Sequence, residues 1–341
     1  MTDQSLVQQA TAYLPAPILF AAAELGIADV LAEGPLSAAE LAARIDADPA
    51  AVLRLLRALA GLGVVAQADA ETFTLTGTGA QLRSDVPDSV RDMILLCAMP
   101  ALWHAWGDLA TAVRTGKPVR DRDTGLTAFE STARHPVLSR LYRTAKARAS
   151  LEFAASAVKV YDFGAYGLVA DLGGDCGTFL ATILTSAPRT RGVVHDLPQA
   201  HEQTAETLRD AGVADRCEIR EGDATVAVAP GADAYVLNHV LRDMDDEHAI
   251  ALLRNCRAAL ARQARLIVVE TVMPVVLSAE DSPAYGMTDL NNLVFAGGRE
   301  RTADEYRTLL RTAGFAVTSM TNAASTEGLP DYQLIECAPD D

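Results

Sequence analysis

Residues 168 to 184 read LVADLGGDCGTFLATIL: a short apolar run ending at Asp171, a glycine-rich turn Leu172-Gly173-Gly174-Asp175-Cys176-Gly177, and an apolar helical stretch from Thr178. Glycines at such a turn let the backbone reverse sharply and approach a ligand whose polar end faces the helix N-terminus. Toward the C-terminus the same alternation continues through TRGVVHDLP, RCEIREGD, GADAYVLNHV, RLIVVETV, GFAVTSM and YQLIECA. Short apolar strands separated by helical segments predict an α/β fold: a Rossmann-like, mostly parallel, doubly wound sheet with ligands outside the carboxyl ends of its strands. The second strand ends in Asp196, 19 residues beyond Gly177, where an acid can accept both ribose hydroxyls. The third ends in Gly222-Asp223, suited to an adenine amino group. Three acidic strand ends in succession suit an adenosyl ligand, either a nucleotide or S-adenosylmethionine. The G-x-G-x-x-G spacing of nicotinamide-dependent oxidoreductases is absent, which disfavours that class.

The first hundred residues follow another pattern. ILFAAAELGIADVLAEG, from Ile18, predicts a helix and a shorter second one broken at Gly26 and Gly34. Ser37 with Glu40 forms a capping box ahead of SAAELAARI, and Asp48-Pro49 heads DPAAVLRLLRALAGLG. VVAQADAETFTLTGTG alternates around a turn at Asp69 to Glu71, as a short hairpin does. This mainly helical, winged-helix-like arrangement would suit a DNA-binding regulator, but residues 1 to 100 hold five basic residues against twelve acidic ones. The apolar first helices suit a surface covered by a second subunit, so a homodimer through the N-terminal region is expected.

With 341 residues the chain is long enough for two cores. The expected organisation is a dimerisation domain over 1–98, a helical linker and acceptor-pocket region over 99–160, and a cofactor-binding catalytic domain over 161–341. The net charge of -16 repels nucleic acid and anionic membranes. The start lacks a signal-peptide pattern and no apolar run reaches membrane-spanning length, so a cytoplasmic location is expected. The five cysteines show no Cys-x-x-Cys pair and no metal-ligand spacing, so reduced structural thiols and no metal are expected. The tail CAPDD is expected to fray.

In order and spacing, LGIADVL, DLGGDCG, VHDLP, GDA, NHVLRDMDDEHA, VVETVMP, MTDLNNLVFAGGRERT and AGF resemble the plant-type small-molecule O-methyltransferases and their bacterial relatives in natural-product pathways. The resemblance covers nearly the whole chain. It implies S-adenosylmethionine as cofactor, with Asp171, Gly173, Gly174 and Gly177 in the cofactor loop, Asp196 at the ribose, Asp223 at the adenine, and Leu197, Ala224 and Asn238 also binding the cofactor. It implies Glu270 and Glu300 as acids framing the catalytic site, and an acceptor pocket around Met99, Trp103, Phe129, Met287, Asn291, Asn292 and Phe295. The implied function is O-methylation of an aromatic or polyketide-like small molecule.

One position departs from the family. Arg242 stands where a histidine normally takes the proton of the attacking hydroxyl, and a guanidinium has no acceptor lone pair. Three readings remain open. The acceptor can arrive already anionic and be held by Arg242. Another residue can act as base, with His239 the nearest candidate, although three residues along an extended strand it would face away from Arg242. Or the scaffold can serve a non-methylating reaction such as hydroxylation, decarboxylation or a pericyclic step. Asp175 for a glycine, Ala224-Thr225 beside the adenine and Met244 for a tryptophan are further departures.

Overall fold

A computed structural model describes residues 5–279, 282–324 and 331–340. The chain divides into two compact units, Met1–Trp103 and His104–Asp341.

In the first unit, helices Leu6–Thr11, Pro15–Glu24 and Ile27–Leu31 precede strand β1 (Leu36–Ser37), helices Ala38–Arg44 and Pro49–Gly61, and strands β2 (Val65–Gln67) and β3 (Thr72–Leu75). Ser37 and Glu40 close their capping box, and the Asp48 carboxylate accepts from Ala51 N at 2.8 Å. The turn between β2 and β3 is fixed by Asp69 Oδ1, which accepts from the backbones of Glu71 and Thr72. Leu41, Leu56, Leu59 and Phe73 fill the core. The three strands form an antiparallel sheet in the order β1-β3-β2. The expected hairpin is therefore joined by a two-residue strand too short to leave a hydropathy signal. The helix expected from Ile18 begins earlier, where Pro15 can occupy the first turn without losing a hydrogen bond.

The second unit is built on seven strands: β4 (Leu168–Leu172), β5 (Arg191–Asp196), β6 (Cys217–Glu221), β7 (Ala234–Asn238), β8 (Arg265–Thr271), β9 (Phe315–Ala323) and β10 (Tyr332–Pro339). They lie in the order β6-β5-β4-β7-β8-β10-β9. The first five are parallel; β10 inserts antiparallel between β8 and β9. Strand order reverses between β4 and β7, the place where open α/β sheets bind ligands. Period-two alternation fills a core on each face: Val236 with Val169, Phe179 and Ile267 on one side, Tyr235 and Leu237 with Leu252, Val268 and Tyr306 on the other. Among the described residues no single helix is long and apolar enough to cross a membrane.

The expected fraying of the tail is corrected. Cys337 to Pro339 complete β10, and Asp340 N donates to Gly314 O at 2.9 Å, because the last strand is internal to the sheet rather than at its edge. Asp341 lies outside the described residues.

Candidate active site

The glycine turn follows β4 as its spacing predicts. Gly173 and Gly177 both adopt φ of +72°, a region open to glycine at no steric cost. A Cβ on Gly174 would lie 2.6 Å from the carboxylate of the buried Asp171, so the turn holds its path only without a side chain there. Gly173 N donates to His195 O at 3.0 Å, tying the turn to β5. On β5, Asp196 Oδ1 accepts from Leu197 N at 2.7 Å, and burial raises the carboxyl above its ordinary pKa. Beyond β6, Gly222 packs directly on the His195 imidazole, and Asp223 Oδ1 accepts from both the N and the Oγ1 of Thr225. Asn255 Nδ2 donates to the carbonyls of Ala224 and Thr225, so this loop is held although its side chains are small. At the end of β7 the buried Asn238 donates to Ser150 Oγ at 3.3 Å, while its Oδ1 has no hydrogen-bond partner among the described residues. An open backbone cradle, an acid at the end of β5 and a buried amide oxygen at the end of β7 fit an adenosyl ligand.

The structure brings Arg242, Glu270 and Glu300 together. Glu270 lies next to the end of β8, fully buried, and its Oε1 accepts from Leu241 N at 2.8 Å and Arg242 N at 3.2 Å, which fixes the short turn Leu241–Asp243. Arg301, also buried, grips that turn from the other side through Leu241 O and Met244 O, and is itself paired with Asp246. Arg242 Nη2 lies 2.5 Å from Glu300 Oε1, with the side chains 16% and 0% exposed. The same oxygen accepts from Asn292 Nδ2 at 3.0 Å. Burial works against the Arg242 cation, but Glu300, Glu270 and Asp243 outweigh it and hold the guanidinium charged. Burial also raises Glu300, and pushes Glu270 up to about 8 against the opposing pull of Arg242.

His239 is not on an extended strand. It follows β7 with φ of +54°, and its ring packs against Phe153 and Tyr332 at centroid distances of 4.4 and 4.7 Å. The expectation that it faces away from Arg242 along an extended strand is thus corrected: the chain turns at His239, and the imidazole packs against two aromatic rings. Burial, reinforced by Arg242 and Lys146, depresses its pKa well below the usual value.

Of the residues expected around the acceptor, Phe129 and Phe295 meet edge to face at 5.6 Å, and both pack on Tyr142. Asn291 Oδ1 accepts from Trp106 Nε1 at 3.3 Å, Asn292 serves Glu300, and Met287 is 65% exposed. Met99, buried, and Trp103, packed on Tyr13, belong to the first unit. Tyr142, Lys146, Asn255 and Arg301 were missed by the sequence reading. Arg301 adjoins Glu300 in GGRER and could have been found there; nothing in hydropathy marks the others. The Asp175 side chain lies outside the described residues.

A parallel sheet with this order, a glycine cradle at its switch point and acids at successive strand ends define the class of S-adenosylmethionine-dependent methyltransferases. Comparison with known proteins narrows this: residues 106–316 match the O-methyltransferase domain and residues 7–84 the O-methyltransferase dimerisation domain. The chain belongs to that family, and its cofactor is S-adenosylmethionine. It is 36% identical to a phenazine O-methyltransferase of Lysobacter antibioticus, over 94% of this chain and 93% of that one. It is 38% identical to an O-demethylpuromycin O-methyltransferase of Streptomyces alboniger, over 96% and 86%. A solved O-methyltransferase from neocarzinostatin biosynthesis, in complex with S-adenosylmethionine and 2-hydroxy-5-methyl naphthoic acid, superposes with a TM-score of 0.84 at 28% identity, covering 99% and 100%.

Proposed function

We propose that this methyltransferase acts on a flat aromatic or polyketide-like acceptor whose reacting oxygen reaches the site already ionised. The observation that carries the reading is the Arg242–Glu300 pair at the position of the family's base. Asp171, Gly173, Gly174 and Gly177 would hold the amino-acid end of the cofactor, Asp196 and Leu197 its ribose, and Asp223, Ala224 and Asn238 its adenine. Bound there, the cofactor supplies an electrophilic methyl group. Glu300 fixes the orientation of Arg242, and a guanidinium has five N–H donors, so one bond to Glu300 leaves others for the acceptor oxygen. The dimerisation domain supports a homodimer formed through the first unit.

Magnitudes favour an acidic acceptor. A phenol of pKa about 10 is ionised to roughly one part in a thousand at neutral pH. That deficit is comparable with the ~10²–10⁴-fold help a general base gives. A hydroxyl with a pKa near 7 or below has no such deficit, and a fixed cation beside it lowers the pKa further. The test is methyl transfer across hydroxyaryl acceptors of graded acidity, with wild type and Arg242→His. Wild-type rates should rise with acidity, and Arg242→His should gain about 10²-fold on weakly acidic phenols. Wild-type rates independent of acidity would sink the proposal.

A further inference from the structure

A cation lies against the cluster of Phe129, Tyr142 and Phe295. Tyr142 and Lys146 are four residues apart on the helix Pro136–Val160 and so share a face. Lys146 Nζ lies 5.5 Å from the centroid of the Tyr142 ring, which itself packs against Phe129 and Phe295. On its other side Lys146 Nζ is 3.5 Å from Asp243 Oδ2, and Asp243 follows Arg242 in the turn Leu241–Asp243. The field of Lys146 also reaches His239 and Asp196. Two cations thus stand at the polar end of one aromatic wall, each with its own carboxylate: Arg242 with Glu300, Lys146 with Asp243.

We propose that Lys146 recognises a second acidic oxygen on the acceptor, making the substrate class an aryl or polyketide acid whose non-reacting carboxylate is not ortho to the acidic hydroxyl that is methylated, since an adjacent anion would oppose its ionisation. This rests on the reading of Arg242 given above. The ring would lie against Phe129, Tyr142 and Phe295, the reacting oxygen would meet Arg242, and the second oxygen would meet Lys146. A flat ligand with both anchors is fixed in its plane, so Lys146 sets which hydroxyl faces the methyl donor.

The test is calorimetric titration of the full-length protein, saturated with S-adenosylhomocysteine, with a hydroxynaphthoic acid whose hydroxyl and carboxyl are not ortho to each other and with its methyl ester. Wild type should bind the acid at least tenfold more tightly than the ester. Lys146→Met should weaken the acid about tenfold and leave the ester unchanged, and Lys146→Arg should restore the preference. An acid preference that survives in Lys146→Met would overturn the assignment. So would loss of S-adenosylhomocysteine affinity in that variant, which would place Lys146 with Asp196 in the cofactor site. Because binding is read without turnover, a failure of the ionised-acceptor reading appears separately, in the dependence of rate on acceptor acidity.

Discussion

Replacing Glu300 by glutamine tests the buried pair at the centre of the site. Glutamine keeps the shape and can still accept from Asn292 through Oε1, so the change removes charge and little else. Arg242, 16% exposed and held at 2.5 Å by Glu300, is then left without its direct counter-ion. Removing one partner of a buried pair costs about 3–5 kcal/mol. The lower end is expected here, because loss of Glu300 also relieves its repulsion on Glu270, which can then ionise more readily opposite Arg242. About 3 kcal/mol in a unit of this size corresponds to a fall of roughly 6–12 °C in Tm. The double variant Arg242→Met with Glu300→Met should recover most of that loss, since a buried pair replaced by apolar groups of similar volume is often neutral or better. Scanning calorimetry of wild type, the Arg242→Met and Glu300→Met single variants and their combination closes a double-mutant cycle, with Glu300→Gln measured beside it. A loss below about 1 kcal/mol for Glu300→Gln, or additive losses in the cycle, would refute the reasoning.

Two further outcomes follow from the geometry. Burial holds Glu270 protonated up to about 8, above the ordinary value of 4.5, so the folded protein binds more protons than the unfolded chain between those values. Its contribution to stability is therefore fully present below the ordinary value and declines as pH rises toward 8, by at most about 1.4 kcal/mol per pH unit. Glu270→Gln, which keeps the acceptor for Leu241 and Arg242, should flatten this slope in urea titrations at pH 5 to 8; an unchanged slope would assign it elsewhere. Gly174→Ala puts a Cβ 2.6 Å from the buried Asp171 carboxylate without backbone strain, since φ at Gly174 is -72°. S-adenosylhomocysteine affinity should fall at least tenfold while the far-ultraviolet dichroism stays that of wild type, and an unchanged Kd would show that the turn has room to spare.

What the sequence disclosed and what it concealed divide along physical lines. The glycine turn, the acids at Asp196 and Asp223 and the alternation of strands with helices are local patterns, set by backbone freedom and by which face of an element is buried. The capping box at Ser37 and the Asp48 N-cap ahead of Pro49 are equally local. The antiparallel insertion of β10 between β8 and β9 is a pairing across the whole unit and leaves no trace in either strand. The turn at His239 breaks the expected period of two, because a positive φ at a residue with a Cβ is set by its surroundings, here the Phe153 and Tyr332 rings. Nothing in GGRER itself marks Glu300 as buried; only the fold brings it against Arg242, 58 residues earlier in the chain. Lys146 lies in a helix whose sequence shows no marked apolar stripe, so its place beside Asp243 could come only from the fold.

In the proposed reaction the acceptor oxygen is ionised before it meets Arg242, and no group on the enzyme takes its proton. The most direct measurement is kcat/KM against pH for wild type with two hydroxyaryl acceptors whose hydroxyl pKa values differ by about two units. The account predicts that the midpoint of the rising limb moves with the acceptor, by close to the difference between the two pKa values. A midpoint that stays at the same pH for both acceptors would report a group on the enzyme taking the proton, and would contradict it.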